Sequence, residues 1–502
     1  MMARLIEALE RRPGRIVALI GAYLLVNMAV RLALPASLEM DEAQQALLTQ
    51  WLSAGYDSQP PLYNWVQYGV SLVAGLTLSS IAAVKAGFLL SLYGFYFLLA
   101  RESLKDRALT LLTPLGLLTI PHIAWESQRD LTHSVALSAA AVLFLWACVR
   151  TLGRPSLVSF VLIGVATGLG MLSKYNFVLL PFSFAVALLS LKDLRGRLFD
   201  PRILVSAAVA LLVFLPHGLW LWQNAGIAAR ETLGKLEDDG APVSILADLA
   251  GGVLSLGGAA LGFCALTVVL FALVLGRRDL VRTTKASAPL AKLFERMMLV
   301  FLLILLMTTL ITDADSFKER WLSPVLIVLP LYLCLKAEAA GVNGRRLLAR
   351  FLPIIGVIVV LVPAILFLRV SLAGWTGKYN KQNVPYPTLS RMLAEAVPQA
   401  PDTVIIGSDR QLAGNLRFSF QRADVITLDY EAFEQAALDD PNRPLLFVWR
   451  GDKPMTKSLR QVLESHQHDR QPTTQAGIIS LNYLYGRPSD RVTFSYQLFA
   501  RP

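Results

Sequence analysis

Long apolar segments that alternate with short polar loops constrain this sequence more than any other feature. The first segment, residues 16–34, has only Asn27 and Arg31 as strongly polar residues and is long enough to cross a hydrocarbon core of about 30 Å. Comparable segments recur up to residue 368. Because 55% of the 502 residues are hydrophobic and the mean hydropathy is +0.52, the sequence predicts a polytopic α-helical membrane protein.

The charges of the loops predict which side of the membrane each loop faces. Lys and Arg concentrate in cytoplasmic loops, and an Arg-rich stretch, residues 4–15, precedes the first segment. With about eleven spans, every strongly basic loop lies on the cytoplasmic side, and every polar loop of mixed charge lies on the other side. The net charge of +11 is therefore explained by membrane orientation and does not indicate nucleic acid as a partner.

The composition changes after residue 370, where short apolar runs between charged residues replace the long apolar segments. These runs predict strands at residues 403–406, 425–428, 445–448 and 492–499. Helices are predicted at residues 386–396, 411–418 and 457–466. We therefore expect a transmembrane domain, residues 1–370, followed by a small periplasmic α/β domain, residues 371–502.

The cysteines give no sign of a disulfide framework. Cys148, Cys264 and Cys334 all lie inside apolar segments, and residues 371–502 contain none. Buried thiols are the expected state of such cysteines.

An acidic loop follows the first apolar segment and contains Glu39, Asp41 and Glu42. One interpretation is a helix start, because carboxylates favour the positive end of a helix. The other is a functional carboxylate at the membrane surface. The aromatic stretch at residues 60–76 is predicted to be a juxtamembrane helix that lies on the membrane.

Three further loop ends on the same predicted side carry ionisable residues. They are Glu126, Arg129 and Asp130; Lys174 and Tyr175; and Lys318, Glu319 and Arg320. Charges at membrane depth are usually paired or functional, although a charge at the interface can also extend to water. Carboxylates there can act as a general base, and Lys and Arg can bind a phosphate.

A metal site on the same side is a weaker interpretation. His122, His133 and His217 can reach that side, but they form no compact spacing motif such as HExxH. No cofactor is required by any motif, and a divalent metal remains an open alternative.

Four short motifs give the chain a resemblance to a known family. They are Asp41-Glu42 followed by residues 55–61, Arg129-Asp130, Ser173-Lys174-Tyr175, and residues 216–224 with 318–321 as a late partner. Across residues 16–368 the chain resembles a GT-C fold glycosyltransferase of family 39, the protein mannosyltransferase-like group. The stretch from Gln59 to Trp65 is most similar to transferases that add aminoarabinose or galacturonic acid to lipid A and lipopolysaccharide core.

The resemblance implies an inverting transferase that takes sugar from a polyprenyl-phosphate donor on the periplasmic face of the bacterial inner membrane. It implies that Asp41 is the catalytic carboxylate and that Asp130 supports it, with Glu42 as a further candidate. The donor phosphate is expected at Lys174, Tyr175, Lys318 and Arg320. Substrate contacts are expected from Gln59, Tyr63, Trp65, Arg129 and His217. Many family members have His where this chain has Gln59, which weakens a metal role there.

The expected acceptor is lipid A, lipopolysaccharide core or another envelope glycan. The alternatives are a lipid or glycan transporter (flippase) and a structural scaffold of an envelope complex. A transporter is expected to show repeated halves and polar residues near the membrane centre, and neither is evident here.

Overall fold

The computed structural model describes residues 2–56, 59–224, 226, 245–312, 317–428, 430, 438, 440, 443–465, 471–473 and 476–500. Within these residues, seven helices are long and apolar enough to cross a membrane. They are Arg15–Ala33, Leu78–Ser103, His133–Gly153, Ile203–Gln223, Ala250–Lys285, Glu319–Ala339 and Gly344–Ser371. The predicted polytopic helical membrane protein is confirmed.

Four further predicted spans coincide with helices of other kinds. The third is a pair, Arg107–Thr119 and His122–Arg129, bent by 73° where Pro121 intervenes. The fifth and sixth are shorter apolar helices, Leu157–Ser173 and Tyr175–Leu189, and the ninth lies in Pro289–Thr312. Every predicted span therefore corresponds to helix, while the total of eleven crossings stays a prediction.

The chain folds into two compact units. The first comprises Met1–Leu25, Asp57–Tyr63 and Ala86–Val362; the second comprises Val26–Tyr56, Asn64–Lys85 and Pro363–Pro502. The acidic loop and the C-terminal residues thus belong to the same unit. The domain boundary at residue 370 stays a prediction.

In the first unit, small residues let two helices approach closely. Leu157–Ser173 packs against Ile203–Gln223, and a Cβ atom on Gly164 would lie 2.6 Å from the carbonyl oxygen of Ser206. Glycine at such positions allows close backbone approach between apolar helices. This packing brings the end of one helix, where Lys174 and Tyr175 follow, beside His217 of the other.

The second unit contains a mixed six-stranded sheet. Its strands are β1 (Val404–Gly407), β2 (Asp424–Thr427), β3 (Leu445–Arg450), β4 (Gln471–Pro472), β5 (Gly477–Asn482) and β6 (Arg491–Ala500). The order is β2-β1-β3-β6-β4, with β5 also paired to β6. β1 pairs in parallel with β2 and β3, and β6 is antiparallel to its partners. The predicted α/β composition of this region is confirmed.

Helices complete both units. The second unit contains Met40–Leu48, residues 64–74 of the helix Leu62–Ala74, Ala373–Thr376, Tyr386–Ala396, Arg410–Ser419 and Lys457–Ser465. The first unit also contains Met2–Arg11. The predicted helix at residues 386–396 has the same bounds in the structure, and the other two are within a residue or two.

Candidate active site

The acidic loop folds into the first turn of the helix Met40–Leu48. Glu39 is the N-cap residue, and its backbone N–H donates to the Glu42 carboxylate at 3.1 Å. Asp41 lies in the same turn and is half-buried. Carboxylates at this end of a helix interact favourably with the unpaired N–H groups and the helix dipole. The helix-start interpretation is confirmed for Glu39 and Glu42.

Glu42 is held in a buried ion cluster. The Arg31 guanidinium donates to both of its carboxylate oxygens, from Nε at 3.0 and 3.2 Å and from Nη2 at 2.8 Å. Lys85 Nζ lies 3.8 Å from Glu42 Oε1. Only 1% of the Glu42 surface is exposed, so the carboxylate is stabilised by these charges rather than by water.

The ion cluster determines the ionisation of Glu42. Burial alone would raise its pKa, but the positive charges of Arg31 and Lys85 and the hydrogen bonds from Arg31 and Glu39 outweigh burial. They lower the pKa of Glu42 to about 2. Glu42 is therefore ionised throughout the physiological range, and a carboxylate so strongly stabilised is a poor proton acceptor.

A second ion pair anchors the same helix start, between Glu39 and Arg369 near the end of Gly344–Ser371. We call Arg31, Glu39, Glu42, Lys85 and Arg369 the loop-1 ion cluster. Two carboxylates of the acidic loop, Glu39 and Glu42, are held in this cluster. The third, Asp41, is half-buried. The catalytic assignments of Asp41 and Glu42 stay predictions, and the geometry of Glu42 is that of a positioning residue.

In the first unit, the predicted phosphate-binding residues lie at ends of apolar helices. Lys174 caps the C-terminus of Leu157–Ser173, and its Nζ donates to Ser134 Oγ at 2.9 Å. The Tyr175 hydroxyl is 3.0 Å from His217 Nε2, and the two rings are stacked. His217 is fully buried, so this bond fixes the Tyr175 hydroxyl in place.

Arg320 is brought toward Lys174 by neighbouring contacts. The Asn176 side chain donates to the Trp321 carbonyl oxygen at 3.3 Å, and the buried His122 interacts electrostatically with both Lys174 and Arg320. Arg320 Nε and His122 Nε2 are buried and make no hydrogen bond within the described residues. We call the two cations Lys174 and Arg320, together with the neighbouring His122, Tyr175 and His217, the cationic cluster.

Lys318 lies outside this cluster. It is the exposed N-cap residue of Glu319–Leu326, and its carbonyl oxygen accepts from the Trp321 N–H at 2.8 Å. Its predicted role in binding the donor phosphate stays a prediction.

Glu126, Arg129 and Asp130 lie where the bent helix pair ends. Arg129 and Glu126 form a half-exposed ion pair at 2.6 Å, and Asp130 caps the short helix Ser127–Arg129. Glu126 also acts electrostatically on Glu319, which packs against Gly262. Asp130 and Arg129 therefore belong to one mixed-charge surface in the first unit, and their catalytic and substrate-binding roles stay predictions.

The aromatic residues predicted to contact substrate, Tyr63 and Trp65, also make contacts within the protein. Tyr63 is fully buried, stacks on Phe88 with ring centroids 5.2 Å apart and lies beside His133. Trp65 donates from its indole N–H to the Ser53 carbonyl oxygen at 2.7 Å, while Gln59 is half-buried. The substrate roles of these residues and of His217 stay predictions.

The partners that organise these clusters were not predicted from the sequence. Arg31 and Lys85 were visible as charges inside the first two spans, a signal that favours pairing or function. Arg369, Ser134 and Asn176 carried no such signal, because their partners are hundreds of residues away or lie on another helix. Within the described ranges no three His, Cys, Asp or Glu side chains are grouped to hold a metal ion, so a divalent metal stays a prediction.

The chain is similar to characterised proteins along almost its whole length. It is 41% identical over 500 residues to the lipopolysaccharide core galacturonosyltransferase RgtB of Rhizobium johnstonii, covering 99% of each chain. It is 38% identical over 485 residues to RgtA of the same organism, which bears the same description, covering 95% of this chain and 96% of RgtA. Residues 58–220 match the family described as dolichyl-phosphate-mannose-protein mannosyltransferase.

The fold is similar to that of a solved structure. The crystal structure of ArnT from Cupriavidus metallidurans bound to undecaprenyl phosphate matches with a TM-score of 0.60 at 13% identity, covering 96% of this chain and 98% of ArnT. Fold and sequence define a multi-span membrane glycosyltransferase of the GT-C class. The chain belongs to the glycosyltransferase family of RgtA and RgtB. The predicted family and enzyme class are confirmed, and the transporter and scaffold alternatives are set aside.

Proposed function

We propose that this protein transfers galacturonic acid from a polyprenyl-phosphate donor to a lipopolysaccharide core or lipid A acceptor on the periplasmic face of the inner membrane. The observation that carries the proposal is the 41% identity to a lipopolysaccharide core galacturonosyltransferase across 99% of both chains. The undecaprenyl phosphate bound to the ArnT fold supports a polyprenyl-linked donor.

The cationic cluster supports the same donor chemistry. Lys174 and Arg320 lie at the ends of apolar helices, where the phosphate of a membrane-embedded polyprenyl chain must also lie. Arg320 Nε is buried and unpaired within the described residues, and buried polar atoms of this kind normally have a partner. A phosphate oxygen is a suitable acceptor for it, because charge-assisted bonds to phosphate are strong.

In the proposed reaction, a hydroxyl oxygen of the acceptor attacks the anomeric carbon of galacturonic acid. The bond from that carbon to the donor phosphate oxygen breaks, so polyprenyl phosphate leaves and the anomeric configuration inverts. Asp41 accepts the hydroxyl proton, with Asp130 in a supporting role. Lys174 and Arg320 stabilise the negative charge that develops on the leaving phosphate.

The periplasmic orientation is part of the proposal, and it rests on the distribution of basic loops. A lipid-linked donor is consistent with this orientation, because a polyprenyl carrier can present sugar on the side of the membrane where the acidic loop lies.

Mass spectrometry of lipopolysaccharide from a deletion strain tests this function. We expect the core or lipid A to lose galacturonic acid and to regain it on expression of the wild-type chain. Asp41→Asn, which removes the proposed proton acceptor, should fail to restore the modification. Asp452→Asn, which changes an exposed carboxylate, is the matched control and should restore it. An unchanged galacturonic acid content in the deletion strain would contradict the proposal.

A further inference from the structure

The helix that carries Asp41 is attached to the C-terminal part of the second unit by contacts on both sides of Asp41. We call residues 37–50 the loop-1 segment. Its helix, Met40–Leu48, packs against the helix Arg410–Ser419, which contains Gln411, Gly414 and Asn415. All these residues belong to the second unit.

At Gly414 the backbones of these two helices come close together. A Cβ atom on Gly414 would lie 2.0 Å from the carbonyl oxygen of Ala43 and 2.4 Å from its carbonyl carbon. No side chain can be accommodated at these distances unless one helix moves. Because Ala43 is two residues after Asp41, a movement of the helix Met40–Leu48 also displaces the Asp41 carboxylate.

Polar contacts hold the chain just before Asp41. The side-chain oxygen of Asn415 accepts the Leu38 N–H at 2.8 Å, and the Gln411 amide donates to the Leu38 carbonyl oxygen at 3.4 Å. The Ser37 hydroxyl donates to the Val384 carbonyl oxygen. Asn415 is 2% exposed and Gln411 5%, so these bonds form away from water, where a lost partner is costly.

Gln50 holds the other end of the loop-1 segment. Its side-chain amide donates to the Val425 carbonyl oxygen at 2.8 Å and accepts from the Val425 N–H at 2.9 Å. Val425 lies in β2, which is an edge strand of the sheet among the described residues. The Gln50 amide therefore pairs with the edge of β2 in the way that a neighbouring strand would.

Apolar packing joins the same parts of the chain. Leu47 and Leu48 are buried in one core with Leu412, Leu416 and Val425. The loop-1 segment is thus part of the hydrophobic core of the α/β region.

We propose that the C-terminal α/β region is a positioning domain, which fixes the loop-1 segment and thereby the direction of the Asp41 carboxylate. This inference rests on the proposed function, in which Asp41 accepts the proton. Gly414, Asn415 and Gln50 are its positioning residues. Since a misplacement of about 1 Å can lower a rate about 100-fold, the contacts control turnover without touching substrate.

Gly414→Ala in the full-length purified protein tests the proposal. We expect amide hydrogen exchange across residues 38–50 to rise about tenfold while exchange in β1 and β3 is unchanged. In the same preparation, we expect kcat to fall about 10- to 100-fold with the KM for the polyprenyl-phosphate donor unchanged. The matched control is Gly356→Ala, a helical glycine at which a Cβ atom meets nothing within 4 Å.

A second variant keeps the test valid if Gly414→Ala unfolds the α/β region. Gln50→Ala removes three hydrogen bonds, two to Val425 and one to the Leu47 carbonyl oxygen, from a half-buried position. Gln461→Ala changes an exposed glutamine as its control. We expect Gln50→Ala to lower kcat several-fold with donor KM unchanged, and Gln50→Glu to recover part of the rate by keeping an acceptor for the Val425 N–H.

The outcomes separate this proposal from the proposed function. Faster exchange in residues 38–50 with normal kcat would overturn the positioning role and leave the function intact. A change in donor KM as large as the change in kcat would also overturn it. Full activity of Asp41→Asn would instead overturn the catalytic role of Asp41, whatever Gly414→Ala does.

Discussion

Replacing Glu42 by Gln removes the central charge of the loop-1 ion cluster while keeping the shape of the side chain. Arg31 and Lys85, which are 11% and 8% exposed, then remain as buried positive charges without their carboxylate. Breaking a buried pair in this way costs about 3–5 kcal/mol of folding free energy. We therefore expect Glu42→Gln to be among the most destabilising single substitutions in the second unit.

The pKa of Glu42 gives a second, independent magnitude. Its pKa is lowered from the usual 4.5 to about 2, and each unit of difference corresponds to roughly 1.4 kcal/mol, so the ionised form contributes about 3 kcal/mol. Because the folded-state pKa is the lower one, this stability is fully present above pH 4.5. It is lost as the pH falls from about 4.5 toward 2.

Unfolding of the purified protein in detergent, followed by tryptophan fluorescence between pH 7 and pH 3, measures both effects. Glu42→Gln should be less stable at pH 7 and should lack the part of the acid-induced loss that Glu42 supplies. Glu464→Gln, which changes an exposed carboxylate, should behave like the wild type. A Glu42→Gln protein that is fully stable but inactive would refute the positioning role and make Glu42 a catalytic group.

Three further predictions concern the cationic cluster and topology. Lys174→Ala and Arg320→Ala should each raise the donor KM about tenfold or more, because each removes a charged donor to phosphate; unchanged donor kinetics in both would exclude them from phosphate binding. His217→Phe keeps the ring stacked on Tyr175 but removes their hydrogen bond, worth about 1 kcal/mol, so donor KM should rise several-fold. A reporter fused after Pro502 should be active only in its periplasmic form; activity of a cytoplasmic reporter there would reverse the predicted orientation.

The sequence predicted helical spans well because bilayer thickness imposes a length on each apolar segment. It also predicted β1, which is fully buried, and β3, which is buried except for Arg450, since both contain continuous apolar runs. It missed β5, whose residues alternate between exposed and buried and begin with Gly477. β4 has two residues, both exposed, and leaves no pattern to recognise.

The candidate site was predicted residue by residue but not as clusters. Asp41, Lys174 and Arg320 stood out because ionisable groups are rare beside apolar segments. The ion pairs of Glu42 with Arg31 and Lys85 depend on how three helices meet, and spacing along the chain does not encode that. The contact of Gly414 with Ala43 joins residues far apart in sequence, so glycine there carried no signal before the structure.

In-vitro transfer by the Asp41→Asn protein tests the central claim most directly. Purified wild-type protein is incubated with polyprenyl-phosphate galacturonic acid carrying a radiolabelled sugar and with lipopolysaccharide that lacks the modification. We expect the wild type to move label to the acceptor and Asp41→Asn to lose about 10²–10⁴-fold in rate while remaining folded. Full transfer by a folded Asp41→Asn protein, or no transfer by the wild type, would contradict the account.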